Sequence, residues 1–396
     1  MFVGAEVLLN SSHWLKKLKH KRVAYLGNSA SVDQKGNLIL SRLLKNKNIS
    51  LTALFSPQHG FSSTKQANMI TSENSAYKGL TLYSLYSKKT RRLTPQMKQS
   101  FDVLLFDLQD TGCRIYTYLS TLLYLIEDLE NTDKTLIVLD RPNPLGRYVE
   151  GSRLKEEFKS FVGLAPLPMS HGLTLGELAL WYQQLKKLNS HLDVVQMKDC
   201  QAKKTWPPHR AWVLPSPNMT GLSCAKCYPG AVLLEGTQIS EGRGATKPFE
   251  VFGRPNMNTE KIYNWMKKEK ADFLNGCFLR EIKFEPGFDK FKNQTCSGFQ
   301  IHLEKTWANK GSFRPYRLIS LFLKAFKEIH PSTVWKSKPP YEYEWKLAPI
   351  DIISGSEDLK KWVEDSSAKA SHWEDFLSHE EQTWKKEQKE LFIYSG

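Results

Sequence analysis

The chain has 396 residues, 40% of them apolar, and 56 lysines and arginines against 41 aspartates and glutamates give a formal charge of +15. That length and apolar share suit two packed domains that fold without disulfides or metal, which excludes a small stapled scaffold. The charge favours an anionic partner, but the lysines are scattered, runs such as Lys16–Lys21 and Lys385–Lys389 read as solvated helix faces, and no nucleic-acid motif accompanies them. Nucleic acid is therefore not an expected partner.

The first residues, MFVGAEVLL, lack a basic segment followed by a long apolar one, and no apolar run reaches the roughly 18 residues that span a bilayer. As written the chain is expected in the cytoplasm, or in the periplasm or outside the cell if a leader has been removed. Candidate strands Arg22–Leu26, Ser50–Phe55, Val103–Asp107 and Thr135–Leu139 alternate with helical stretches such as Leu38–Leu44 and Leu119–Leu129. This alternation predicts an α/β fold of parallel strands joined by helices. A turn signal at Met169–Gly172 precedes a further helix over Thr174–Leu188. Past Trp206 the stretches Pro215–Asn218, Tyr228–Gly230 and Glu235–Glu250 read as loops folded over one face. After about residue 250 the pattern predicts a smaller α+β domain that ends in an amphipathic helix and a short strand, Leu391–Tyr394. The six cysteines show no framework spacing, and Cys224 and Cys227 form one CxxC without a second ligand pair, so they read as ordinary thiols and no metal is expected.

In open α/β sheets ligands bind beyond the carboxyl ends of the strands. Three polar clusters fall there: SPQHGF (Ser56–Phe61), DLQDTGCRIYTY (Asp107–Tyr118) and DRPNPLG (Asp140–Gly146). The first strand runs into LGNSASVDQKG, which has no GxGxxG, and a Walker loop is absent, so a dinucleotide is poorly supported. What remains is a face of carboxylates, amides, histidines and arginines: His59, Asp107, Gln109, Asp110, Arg114, Tyr116, Asp140, Arg141, Asn143, His171, Asn218, Glu235, Glu241 and Arg243. Planar polar groups of this kind bind sugars, and glycoside cleavage usually needs two carboxyl groups flanking the bond. The same residues also have structural uses. Asp107 and Asp140 suit the capping of helices, His59 and His171 suit a core, and Arg243 suits a brace to Glu241 or Glu250.

Taken in order, FSPQHGF (Phe55–Phe61), LYSLY (Leu82–Tyr86), DVLLFDLQDTGCRIYTYLST (Asp102–Thr121), LDRPNPLG (Leu139–Gly146), FVG (Phe161–Gly163), PMSHGLTLGELA (Pro168–Ala179), WVLPSPNM (Trp212–Met219), YPG and EGTQISEGRGATKPFE resemble the NamZ-type exo-β-N-acetylmuramidase family almost end to end. The resemblance implies a bacterial glycosidase that removes terminal N-acetylmuramic acid from the non-reducing ends of peptidoglycan fragments, with no cofactor. It implies a Rossmann-like domain over residues 1–235 and a smaller α+β domain over 236–396 that completes the cleft. The muramic lactyl carboxylate gives an arginine a task, for which Arg114, Arg141 and Arg243 are candidates. Tyr116, Asn143 and Asn218 are expected on sugar hydroxyls or the N-acetyl group, His59 beside the reacting group, and Asp107, Gln109, Asp140 and His171 among the further substrate contacts. One departure matters. The family pattern PEHG is here Pro57-Gln58-His59-Gly60, and an amide cannot donate the proton that a glutamate there would supply, a loss of about two to four orders of magnitude in rate. Three outcomes stand open: Asp110, Glu235 or Glu241 supplies the acid, the chain binds muropeptides with weak or no cleavage, or the change was introduced to trap a substrate. A smaller departure puts Ala245 where the family carries a hydroxyl, worth about 1 kcal/mol of hydrogen bonding.

Overall fold

The computed structural model describes residues 1–64, 75–87, 91–203, 206–304, 312–331, 334–337, 341–342 and 344–394. In chain order its strands are β1 (Arg22–Gly27), β2 (Ser50–Ser56), β3 (Ser75–Tyr77), β4 (Leu80–Ser84), β5 (Val103–Asp107), β6 (Thr135–Leu139), β7 (Val149–Arg153), β8 (Pro168–His171), β9 (His191–Val195), β10 (Val251–Arg254), β11 (Phe278–Phe284) and β12 (Cys296–His302). The central sheet runs β3-β4-β2-β1-β5-β6-β9 and is parallel except for β3, which pairs antiparallel with β4. A β7-β8 pair and a β10-β12-β11 sheet are both antiparallel. The expected α/β architecture with a smaller α+β part is the one adopted.

Every residue of β5 and all but the first of β1 are buried, because helices cover both faces of a parallel sheet. On one face the helix Thr117–Asp128 lays down Leu119, Leu122, Leu123 and Ile126 at helical spacing. These join Phe106, Leu233, Phe252, Phe322, Ile350 and Trp384 in a single apolar cluster, so the C-terminal part shares the core of the sheet. On the other face Val23, Tyr25, Leu105 and Ile137 pack on Leu18, Ile39 and Leu43. The helix Leu175–Lys186 opens with reciprocal capping: Thr174 Oγ1 accepts from the Glu177 amide at 3.2 Å, and the Glu177 carboxylate accepts from the Thr174 amide at 2.9 Å. Among the described residues no helix is long and apolar enough to cross a membrane.

Three expectations are corrected. Met169–Gly172 is not simply a turn, because Pro168–His171 form β8 and the chain turns at Gly172, where φ is 72°. Tyr228–Gly230 lie inside the helix Leu222–Ala231. Gly230 serves close packing there: an added Cβ would sit 1.9 Å from the Pro315 carbonyl oxygen, at the crossing with the helix Pro315–Ile329. Leu391–Tyr394 form no strand. The tail is fastened instead by Ile393 N donating to Glu177 at 3.1 Å and by the Tyr394 hydroxyl donating to Asp140 at 2.6 Å.

Candidate active site

Several polar groups expected in the crevice are used to close it. Asp107, the last residue of β5, accepts hydrogen bonds from the Tyr25 hydroxyl at 2.7 Å and from Arg141 Nε at 2.6 Å, and Arg141 also donates to the Val32 carbonyl at 3.2 Å. The point between β1 and β5 where the strand order reverses, the usual ligand crevice of such sheets, is therefore filled by an internal ion pair. Asp140 accepts from Thr174 Oγ1, the Gly176 amide and Tyr394. It thus caps the helix Leu175–Lys186, and burial, only partly offset by those bonds, pushes its carboxyl up to about 6.

Arg114 is likewise engaged internally. It is 1% exposed, donates to the carbonyls of Ser152, Leu167 and Ile353, and braces β7 and the chain before β8 against the C-terminal part. Gln109 donates to the carbonyls of Asp110 and Pro142. Asn143 bonds to Leu173 O and Leu145 N and lines a separate cavity with Arg147, Cys200 and His209. His171 is fully buried. Its Nδ1 accepts from the Leu173 amide, which leaves the proton on Nε2, 3.8 Å from Asp110 Oδ2. Asp110 accepts from the Gly112 amide at 2.7 Å and is not among the residues that line the cleft around His59 and Glu235. Cys224 and Cys227 are buried free thiols, and Cys224 Sγ faces the carbonyls of Asn218 and Pro248.

The other expected residues do meet. Gln58, His59, Tyr116, Asn218, Glu235 and Arg243 line a narrow cleft with about 40 Å³ of interior space, together with Ser216, Tyr341 and Glu342 and an apolar wall that includes Val162, Met219 and Phe249. Gln58 and His59 arrive from the end of β2. His59 (φ 73°) and Gly60 (φ 77°) are both left-handed, so the strand stops abruptly and a histidine is held in a conformation that costs energy. Tyr116 precedes the helix Thr117–Asp128, Glu235 sits in the short 3-10 helix Val232–Gly236, and Asn218, Arg243, Tyr341 and Glu342 come from loops of the C-terminal half.

Two carboxyl environments stand on the cleft wall. Glu235 accepts from Arg243 at 2.7 Å and from the Tyr341 hydroxyl at 2.8 Å. Arg243 also reaches Glu241 at 3.2 Å, and Lys290 holds the other Glu241 oxygen at 2.9 Å. Burial pushes the Glu241 carboxyl up, but Lys290 and Arg243 outweigh it and hold it below the usual range. Glu241 is thus an anion behind Arg243, which pairs with it rather than with Glu250; Glu250 takes Lys247 at 3.3 Å.

Glu342 sits differently: burial raises its carboxyl, the Tyr86 hydroxyl donates to it at 2.8 Å, and the Gln58 side chain is a further hydrogen-bond partner. Sequence reasoning missed Glu342, Tyr341, Tyr86 and Lys290. The alternation of tyrosine and glutamate in YEYE (Tyr341–Glu344) and the LYSLY run were the available signals, but neither says what it faces. Ala245 sits in the turn closed by its amide on the Gly242 carbonyl and is outside the cleft lining.

Two family models match successive stretches of the chain: exo-beta-N-acetylmuramidase NamZ, N-terminal, over residues 23–223, and its C-terminal counterpart over residues 226–394. A peptidoglycan beta-N-acetylmuramidase NamZ of Bacillus subtilis (strain 168) is 37% identical over 331 residues, which cover 83% of this chain and 78% of that protein. Crystal structures of two DUF1343 family proteins from Bacteroides fragilis NCTC 9343 superpose over 100% of this chain and 99% of each neighbour. One gives a TM-score of 0.84 at 28% identity, the other 0.75 at 26%.

Proposed function

The chain belongs to the exo-β-N-acetylmuramidase NamZ family, and we propose on that premise that it is an exo-acting glycosidase releasing terminal N-acetylmuramic acid from the non-reducing ends of peptidoglycan fragments. The observation that carries the reading for this chain is the meeting of Glu235 and Glu342 with Arg243, His59, Asn218 and Tyr116 in one cleft. Carboxyl groups are what glycoside cleavage requires, and amides and hydroxyls are what pyranose rings bind.

Arg243 is the arginine of the three candidates that lines this cleft, and its task is the lactyl carboxylate. Asn218 and Tyr116 take ring hydroxyls and the N-acetyl group, His59 orients the scissile linkage, and Val162 and Met219 meet the apolar methyl groups. Glu235 and Glu241 hold the guanidinium flat from two sides. Dividing the chain between residues 235 and 236 places the cleft at the seam of two domains, with Gln58, His59, Tyr116 and Asn218 from one and Arg243 and Glu342 from the other.

The test is release of an aryl leaving group from β-N-acetylmuramic acid and β-N-acetylglucosamine glycosides by the wild type and by Gln58→Glu. The wild type is expected to hydrolyse the muramic glycoside only. Hydrolysis confined to Gln58→Glu would make the natural chain a muropeptide-binding protein, and silence in both would reject the substrate.

A further inference from the structure

Gln58 removes a proton donor from the end of β2, yet it does not leave that corner of the cleft without a carboxyl. Glu342 occupies it, carried in by a segment distant in sequence. The Glu342 backbone is left-handed at φ 46°, a conformation that costs a non-glycine residue energy. Oε2 of Glu342 accepts from the Tyr86 hydroxyl at 2.8 Å, and the Gln58 amide is a second partner of the same carboxyl.

We propose that Glu342 is the general acid of the glycosidase reaction, standing in for the carboxyl that position 58 lacks. The inference rests on the glycosidase reading given above. In the step, Glu342 gives its proton to the glycosidic oxygen while the bond from that oxygen to C1 breaks. The bonding electron pair stays on the oxygen, which leaves as a hydroxyl of the next sugar. Water then adds its hydroxyl to C1, and its other proton restores the Glu342 carboxylic acid, so one water is consumed for each bond cut.

The neighbouring groups favour this assignment over the other cleft carboxyl. Burial holds the Glu342 proton on above the ordinary glutamate range, and the charge of Glu235 acts in the same direction. The Tyr86 and Gln58 hydrogen bonds and the charge of Arg91, whose guanidinium lies 4.8 Å from the Tyr86 ring centroid, act against it without reversing it. Glu235, in contrast, is engaged by the Arg243 guanidinium at 2.7 Å as well as by the Tyr341 hydroxyl. Glu342 lines the same cleft as Gln58 and as His59, which the turn after β2 holds in a left-handed conformation.

The test compares kcat/KM of the wild type and Glu342→Gln on two substrates. One is an aryl β-N-acetylmuramic acid glycoside, whose leaving group departs without a proton. The other is the disaccharide of N-acetylmuramic acid linked to N-acetylglucosamine, whose leaving group needs one. Glu342→Gln is expected to lose about 10²- to 10⁴-fold on the disaccharide and less than about tenfold on the aryl glycoside. The basic limb of the wild-type disaccharide profile disappears with it.

Equal losses on both substrates by a variant with a wild-type unfolding transition, or no loss on either, would overturn the assignment. Tyr86→Phe supplies an independent arm. It removes a bond that favours the carboxylate, so the basic limb moves to higher pH, and an unmoved limb would also overturn the assignment. A wild type that cleaves neither substrate would bring down the glycosidase reading itself, whereas cleavage of both with an unselective Glu342→Gln would bring down the role of Glu342 alone.

Discussion

Replacing Arg243 by alanine strips one cation from two carboxylates at once. The guanidinium lies 2.7 Å from Glu235 and 3.2 Å from Glu241, and its side chain is 12% exposed. Breaking a buried ion pair from one side typically costs about 3–5 kcal/mol, because the remaining charge is left desolvated. Here each carboxylate keeps one partner, Tyr341 at 2.8 Å for Glu235 and Lys290 at 2.9 Å for Glu241, which places the cost near the lower end of that range. Loss of the contact with the Phe249 ring, 5.0 Å away, adds about 0.5–1 kcal/mol. Arg243→Ala is therefore expected to lose about 3–4 kcal/mol in urea unfolding at pH 7.

The loss should depend on pH with a definite sign. The Glu241 carboxyl is held below its ordinary range by Lys290 and Arg243 in the fold. The stability it contributes is present above the unfolded glutamate range and disappears as pH falls through the folded value. The gap between wild type and Arg243→Ala thus narrows in acid. A loss below about 1 kcal/mol at pH 7, or a gap that stays constant into acid, would refute the view that Arg243 is locked by its two carboxylates.

Two further outcomes follow from packing and titration. Gly230→Ala drives a methyl to within 1.9 Å of the Pro315 carbonyl oxygen, so calorimetry should show a loss of at least about 1–3 kcal/mol; an unchanged melting temperature would mean that the two helices separate freely. Asp140, raised to about 6 by burial, contributes stability that is full below the unfolded aspartate range and is lost as pH rises through about 6. Relative to Asp140→Asn, the wild type should therefore lose about 3 kcal/mol between pH 3 and 8, about two pKa units at 1.36 kcal/mol each. Parallel urea-derived stability curves over that range would contradict it.

The strands β1, β2, β5 and β6 were legible because each is an apolar run bounded by turn residues. β8 was hidden by the proline that begins it and the glycine that follows it. Pro229 and Gly230 signal a turn by composition, yet the helix Leu222–Ala231 tolerates both near its end, and its neighbour needs the missing side chain at Gly230. Leu391–Tyr394 has strand composition, but the polar atoms of Glu177 and Asp140 engage it where no strand edge does.

The site divides along the same line. Gln58, His59, Tyr116, Asn218, Glu235 and Arg243 were readable as polar groups in turns that must face a crevice. Asp107, Arg114, Asp140 and Arg141 have the same composition and the same place in the chain. A carboxylate at a strand end looks alike whether it meets a ligand or an internal arginine, and the Asp107–Arg141 pair at 2.6 Å is decided by packing. Glu342 was beyond reach for a different reason: its meaning comes from Gln58 and Tyr86 beside it, and that meeting exists only in the folded chain.

The most direct test of the account is digestion of defined peptidoglycan glycans, one bearing N-acetylmuramic acid and the other N-acetylglucosamine at the non-reducing end, followed by mass spectrometry. Release of a single N-acetylmuramic acid from the first, with the second left intact, is the predicted result. Internal cleavage, release from the reducing end, or equal attack on both glycans would contradict it.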